Sequence, residues 1–89
     1  MVRIAIDYTG NLRCRAVHQP SGAALETDAP LDNGGRAASF SPTDLMATAL
    51  GTCVATVIGL QAGRLGVEVD GMTVTVDKHM TVSGPRRIA

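Results

Sequence analysis

Along the first half of the chain, apolar and polar residues alternate. Val2, Ile4, Ile6 and Tyr8 are interleaved with Arg3, Ala5 and Asp7, the period of two that predicts a half-buried strand. Thr9-Gly10-Asn11 is a turn signal. Leu12, Cys14, Ala16 and His18 then alternate with Arg13, Arg15, Val17 and Gln19, so this second run is expected to fold back on the first as a hairpin. Pro20-Ser21-Gly22 marks another turn, and Ala23 to Thr27 a short third strand. From Asp28 to Ser39 the chain carries Pro30, Asp32, Asn33, Gly34 and Gly35. That stretch reads as a long loop, and long loops in compact domains are often functional.

The pattern changes at Ser41. Ser41-Pro42-Thr43-Asp44 puts serine at an N-cap, proline at the first helical position and an acid three residues after the cap, a capping box with the preferred N-terminal proline. A helix from Pro42 to about Leu65 would close at Gly66, because glycine adopts the left-handed C′ conformation without penalty. Such a helix spans roughly 36 Å. Beyond it, Met72, Val74 and Val76 alternate with Thr73, Thr75 and Asp77 and predict another strand. Gly84-Pro85 interrupts the pattern, and Arg86-Arg87-Ile88-Ala89 reads as the start of a further strand.

Nineteen consecutive residues of the helix, Leu45 to Gly63, carry no charge, so it must be weighed as a membrane span. Thr48, Thr52 and Thr56 lie inside it, strands flank it, and no cluster of Lys or Arg marks a cytoplasmic edge. The expectation is a soluble helix buried on nearly all sides. Ala47, Gly51, Ala55, Gly59 and Gly63 recur every fourth residue, a stripe of small side chains along which another backbone can approach closely. Met46, Ala49, Leu50, Cys53, Val57 and Leu60 lie roughly opposite. Two buried faces call for two partners, a sheet and a second helix. The strand candidates supply the first, and no second helix is present in the sequence.

Composition narrows the picture. At 89 residues the chain is one domain or less. Eight acidic and eight basic side chains cancel, with no basic run, which argues against nucleic acid. Two cysteines are too few for a disulfide scaffold. Charges stand in the N-terminal segment where a secretion signal needs its apolar stretch, so a reduced, cytoplasmic protein is expected. The chain is 45% hydrophobic but holds one Tyr and one Phe. A small domain short of large rings must associate or lack part of its core.

Cys53 has two readings: a small apolar core residue, or a thiolate nucleophile served by a nearby cation. The helix macrodipole fades within the first turn, so that cation must come from another element, and Arg13, Arg15 and Arg36 are available. Cys14 falls on the apolar side of its strand, which favours a core role. His18 and His79 form no spaced ligand set with the cysteines, so no metal site is expected. Asp44 is accounted for as a helix cap. Gly34-Gly35 is not followed by a phosphate-loop pattern, and no nucleotide or other cofactor is expected.

One set of motifs goes further. Tyr8-Thr9-Gly10-Asn11-Leu12-Arg13-Cys14, His18, Ser21-Gly22, Thr27-Asp28-Ala29-Pro30 and Gly34-Gly35 are followed by Phe40-Ser41-Pro42-Thr43-Asp44-Leu45-Met46-Ala47-Thr48-Ala49-Leu50-Gly51-Thr52-Cys53. Gly71-Met72, Lys78-His79-Met80 and Pro85-Arg86-Arg87-Ile88 come after them. This order resembles the OsmC/Ohr family, in the OsmC-like branch that carries Ser-Pro-Thr-Asp-Leu before its cysteine helix, and the resemblance covers essentially all 89 residues. It implies an α+β fold with an N-terminal antiparallel β-meander, one long buried cysteine-bearing helix, then further strands. It further implies a single OsmC-like domain over residues 1–89 that is truncated at its C-terminal side, its second helix missing. Two chains would form an intertwined homodimer.

The activity implied by the resemblance is thiol-dependent reduction of hydroperoxides, organic ones above all, in bacterial oxidative defence. One cysteine becomes a sulfenic acid, a second resolves it, and a dithiol reductant such as a lipoylated protein completes the cycle. Carried over by position, Cys53 matches the peroxide-attacking cysteine. Family members place a glutamate directly after the helix-opening proline; here Thr43 stands there, with Asp44 one residue later. The family's arginine lies in the hairpin region, near Arg13 and Arg15. The resolving cysteine is expected beyond residue 89. Two functions follow: a thiol peroxidase using Cys53, or a non-catalytic or truncated OsmC-like module that binds or scaffolds as a dimer. Neither involves nucleic acid or a membrane.

Overall fold

The computed structural model describes residues 1–81, 87 and 88, in two compact units, Met1–Pro42 and Thr43–Ala89. The first unit is the expected antiparallel meander: β1 (Ile4–Gly10), β2 (Arg13–His18) and β3 (Ala24–Asp28), in that order across the sheet. The first turn runs through positive φ at Gly10 (92°), Asn11 (56°) and Leu12 (61°); glycine and asparagine tolerate that region better than most residues, and leucine does not. At the second turn, the His18 amide donates to the Ala23 carbonyl and the Gly22 amide to the His18 carbonyl.

Directly opposed residues share a face of the sheet. Ile6, Ala16 and Leu25 form one row and Tyr8, Cys14 and Thr27 another, while Asp7, Arg15 and Glu26 are aligned on the other face. The alternation is present, but the apolar residues of β1 are not half-buried as expected, whereas Cys14 and Ala16 of β2 are. Ile4, Ile6 and Tyr8 are exposed, Ile6 by 66%. The physical reason is that this unit has one layer, its remaining regular element being a single 3-10 turn, Leu31–Asn33, and one layer covers only one face of itself.

The segment after β3 is tightly tied. The Asp28 amide donates to the Phe40 carbonyl, Ala29 to Leu12, Gly35 to Pro30 and Ala37 to Ala29. Gly35 is required by space, since a Cβ there would lie 1.7 Å from the Ala29 carbonyl oxygen. The Asp28 side chain anchors the same segment. It is 2% exposed, and its Oδ2 accepts the Ala38 amide at 3.0 Å and faces the Arg13 guanidinium at 3.5 Å. Its Oδ1 is buried without a hydrogen-bond partner among the described residues.

The second unit is built on α1 (Pro42–Leu65), with the bounds that Pro42 and Gly66 predict. Its C-terminus is a Schellman closure: Val67 donates to Ala62 at 2.8 Å, Gly66 donates to Gly63, and Gly66 has φ 70°. Thr48, Thr52 and Thr56 turn their hydroxyls back to the carbonyls of Asp44, Thr48 and Thr52. These local bonds satisfy the hydroxyl protons within an otherwise apolar helix.

The expectation of a helix buried on nearly all sides is not met in this chain. Within α1 only Gly51 and Ala62 are buried, and Met46, Leu50, Val57 and Leu60 are all exposed, Leu50 by 64%. The small-residue stripe is covered over part of its length. A Cβ on Gly51 would meet Val76 Cγ2 at 2.7 Å and Val74 Cγ1 at 3.8 Å, whereas nothing lies within 4 Å of one on Gly59 or Gly63. The strand expected at Met72 to Val76 is not assigned; a strand needs a ladder partner, and among the described residues this segment has none. The nearest approach to a later strand is a single bridge between Met80 and Ile88, beside a Thr81-to-Arg87 backbone hydrogen bond. The interruption expected at Gly84-Pro85, and Arg86 and Ala89 of the expected last strand, lie outside the described residues.

Two consequences are measurable. Gly35→Ala is expected to cost roughly 1–3 kcal/mol, because its methyl meets backbone rather than a side chain that can swing away; denaturant unfolding reads this directly, and an unchanged midpoint would contradict the close approach. The second concerns acid. The Ala38 amide, acting against burial and assisted by Arg13, holds the Asp28 carboxyl below its ordinary value of 3.8. A depressed folded pKa contributes stability above the ordinary value, and that contribution is lost as pH falls through the folded one. The stability gap between the protein and Asp28→Asn is therefore expected to be widest at neutral pH and to narrow below 3.8. Parallel unfolding curves across that range, showing a gap constant with pH, would exclude this role.

Candidate active site

Cys53 is free and exposed, near the middle of α1. Helical spacing puts Ala49 and Leu50 one turn before it and Thr56 and Val57 one turn after. Leu50 and Val57 are themselves exposed, so the thiol stands in an open apolar strip. The charged residues of the same helix are distant from it. Asp44 lies about 13 Å away along the axis and on the opposite side, since nine residues make two and a half turns; Arg64 lies about 16 Å the other way. The helix itself thus brings no charge to Cys53.

Asp44, expected as a site residue, has a defined partner of its own. Lys78 Nζ contacts Asp44 Oδ1 at 2.7 Å and donates to Thr43 Oγ1 at 2.9 Å. The acid lies in the first turn of α1, where a carboxylate also favours the helix dipole. This cluster ties the segment around Lys78 to the start of the helix. Sequence reasoning missed Lys78 as its partner, because no local spacing signal links residues so far apart in the chain.

The two hairpin arginines belong to the first unit. Arg13 is held by Asp28, and Arg15 stands in register between Asp7 and Glu26 on the polar face of the sheet. Cross-strand opposite charges of this kind are mutually favourable. Cys14 lies on the other face, in the row of Tyr8 and Thr27, and is half-buried, in keeping with a packing role. His18 Nδ1 is hydrogen-bonded to Ser21 Oγ at the hairpin turn. No group of three or more His, Cys, Asp or Glu suited to a metal ion is present among the described residues. The structure thus joins Arg13 to Asp28 and Asp44 to Lys78 and Thr43, while Cys53 stands among apolar neighbours. Asp28 was the other residue to which no role was given; its sequence signals are its place in the Thr27-Asp28-Ala29-Pro30 motif and at the boundary between strand and loop.

Comparison with known proteins identifies this arrangement. The profile of the OsmC-like protein family matches residues 34–89, which include all of α1 and Cys53. A crystal structure of a protein described as an osmotic stress induced and detoxification response protein, from Psychrobacter arcticus 273-4, is similar with a TM-score of 0.91 and 42% identity. The similarity covers 99% of this chain and 64% of that one, so the chain spans under two thirds of that protein's length. No curated protein matches. The sheet followed by one long helix is shared with that structure, and the chain belongs to the OsmC-like family.

Proposed function

We propose that the chain serves a stress response by thiol-dependent reduction of organic hydroperoxides, with Cys53 as the attacking residue. The observation that carries this reading is the free, exposed Cys53 thiol in the middle of the one long helix, within the region that matches the family. The osmotic stress and detoxification description of the similar structure supports a role of this class. In the reaction, the Cys53 thiolate attacks the outer peroxide oxygen. An S–O bond forms as the O–O bond breaks, the departing alkoxide takes up a proton and leaves as an alcohol, and the sulfur is oxidised by two electrons to a sulfenic acid. A thiol then condenses with the sulfenic acid and releases water, and a dithiol regenerates Cys53 by exchange.

The chain's own residues shape this chemistry in three ways. The apolar strip around Cys53, with Leu50 and Val57 exposed beside it, suits the hydrocarbon portion of an organic peroxide better than the small polar hydrogen peroxide. Thiolate formation calls for a cation, and by family resemblance that is a hairpin guanidinium, Arg13 or Arg15. Asp44 contributes at one remove, as the partner of Lys78 at the helix start. The homodimer is part of the proposal. Within the first unit Ile4, Ile6 and Tyr8 are exposed on β1, and within the second Leu50, Val54, Val57 and Leu60 are exposed on α1; each is apolar surface of the kind that marks association. α1 is long and apolar enough to cross a membrane by length and composition; with three threonines inside its apolar stretch and no cluster of Lys or Arg at its edge, its exposed face is assigned to association.

Cys53→Ser is expected to reduce consumption of an organic hydroperoxide, supplied with excess dithiol, to the uncatalysed rate, while Cys14→Ser retains activity. Mass spectrometry of the peroxide-treated protein should find one added oxygen on Cys53. Unaltered consumption by Cys53→Ser would remove the proposal. Oxidation that stops at one equivalent despite excess dithiol would favour a non-catalytic module over an enzyme.

A further inference from the structure

A cleft of about 420 Å³ opens in the first unit between the β1–β2 turn and the loop after β3, lined by Asn11, Leu12, Arg13, Gly34, Gly35 and Arg36. None of these residues belongs to the helix that carries Cys53. The charged side chains of its lining, Arg13 and Arg36, are of one sign. Arg13 and Arg36 each present a guanidinium, which has donors and no acceptor, and the Asn11 side-chain amide can donate as well. Neither the Arg36 guanidinium nor the Asn11 side chain has an ion-pair or hydrogen-bond partner among the described residues. Asp28, the carboxylate that faces Arg13, is buried and accepts the Ala38 amide, and no carboxylate lines the cleft among the described residues.

The bland reading is two solvated surface arginines. Three features of the local structure speak for a built site instead. Arg13 keeps 41% of its side chain exposed while Asp28 fixes one edge of its guanidinium, which leaves most of its donors unspent and already oriented. Gly34 and Gly35 form a wall without side chains: Gly34 has φ 88°, and Gly35 is pressed against the Ala29 backbone. The loop that carries Arg36 is held by the bonds from Ala29, Gly35, Ala37 and Ala38. A site whose groups are positioned before binding loses less entropy when it is filled.

We propose that this cleft binds a small oxyanion, the phosphate or carboxylate group of a small molecule, through the guanidinium groups of Arg13 and Arg36. Guanidinium matches either group with two parallel N–H···O bonds. Arg13 is one of the two guanidinium groups offered to Cys53 above, whereas Arg36 is not, so Arg36→Gln tests the cleft apart from the thiol chemistry.

The test is a titration of isotope-labelled protein with inorganic phosphate and, separately, with acetate at constant ionic strength, followed by NMR. Saturable shifts are expected in the amides of residues 11–13 and 34–36 and in the arginine side-chain signals. Arg36→Gln, at an exposed position that leaves the fold intact, is expected to weaken binding about tenfold, the loss of one charge-assisted pair. Arg13→Lys keeps a cation beside Asp28 but loses the fork, and should weaken binding as well. Saturation by phosphate alone assigns the site to tetrahedral anions, and by acetate to carboxylates. Shifts that fail to saturate, that chloride reproduces, or that Arg36→Gln leaves unchanged would overturn the assignment.

Discussion

Covering a long charge-free helix is the constraint on which most of this structure turns. From Leu45 to Gly63 α1 offers water only apolar groups, hydroxyls already bonded to the helix backbone, and one glutamine near its end. Burying a Leu, Val or Ile side chain is worth roughly 1.5–3 kcal/mol, so each exposed member of that helix represents stabilisation not realised within the single chain. Part of the demand is met locally. The missing side chain of Gly51 admits Val76 and Val74, and Lys78 secures the same segment to Thr43 and Asp44. A small residue, two β-branched ones and one cation thereby hold a segment that has no strand partner among the described residues.

The first unit solves a different problem. Three strands make a single layer with little core, and its order comes from backbone bonding and from one buried carboxylate. Asp28 has its amide on Phe40, its Oδ2 on Ala38 and its charge against Arg13. A carboxylate removed from water is tolerated only when paired, and here the pairing also orients a guanidinium at the mouth of a cleft. Structural and functional roles therefore meet in Arg13: it neutralises Asp28 and presents its remaining donors outward.

What the chemistry requires of Cys53 is set by what its helix lacks. A thiol becomes a good nucleophile beside a positive charge, and α1 supplies none within reach of residue 53. The thiol stands in an apolar strip that includes exposed Leu50 and Val57. In the function proposed above, substrate contact and assembly would draw on that one set of residues.

The elements were legible in the residues because their signals are local. Pro42 and Gly66 set the limits of α1 through fixed and left-handed φ, the period of two marked β1 and β2 to within two residues, and Cys53 was identifiable from the motif that opens its helix. Burial was not legible, because periodicity records which faces are apolar and not what covers them. Ile6 and Leu50 carry the pattern of covered residues and are exposed. The strand expected at Met72 to Val76 failed for a related reason: a strand is a relation between two segments, and alternation in one does not supply the other. Asp28 and Lys78 were hidden because their partners, Arg13 and Asp44, are brought to them by folding across long stretches of chain. The sequence by itself determined the three strands, α1 and the place of the candidate Cys53 on that helix, which depend on neighbours a few positions apart. Only the tertiary structure decided the ion pairs, the close approach at Gly51 and the arginine-lined cleft, since each depends on contacts between distant residues.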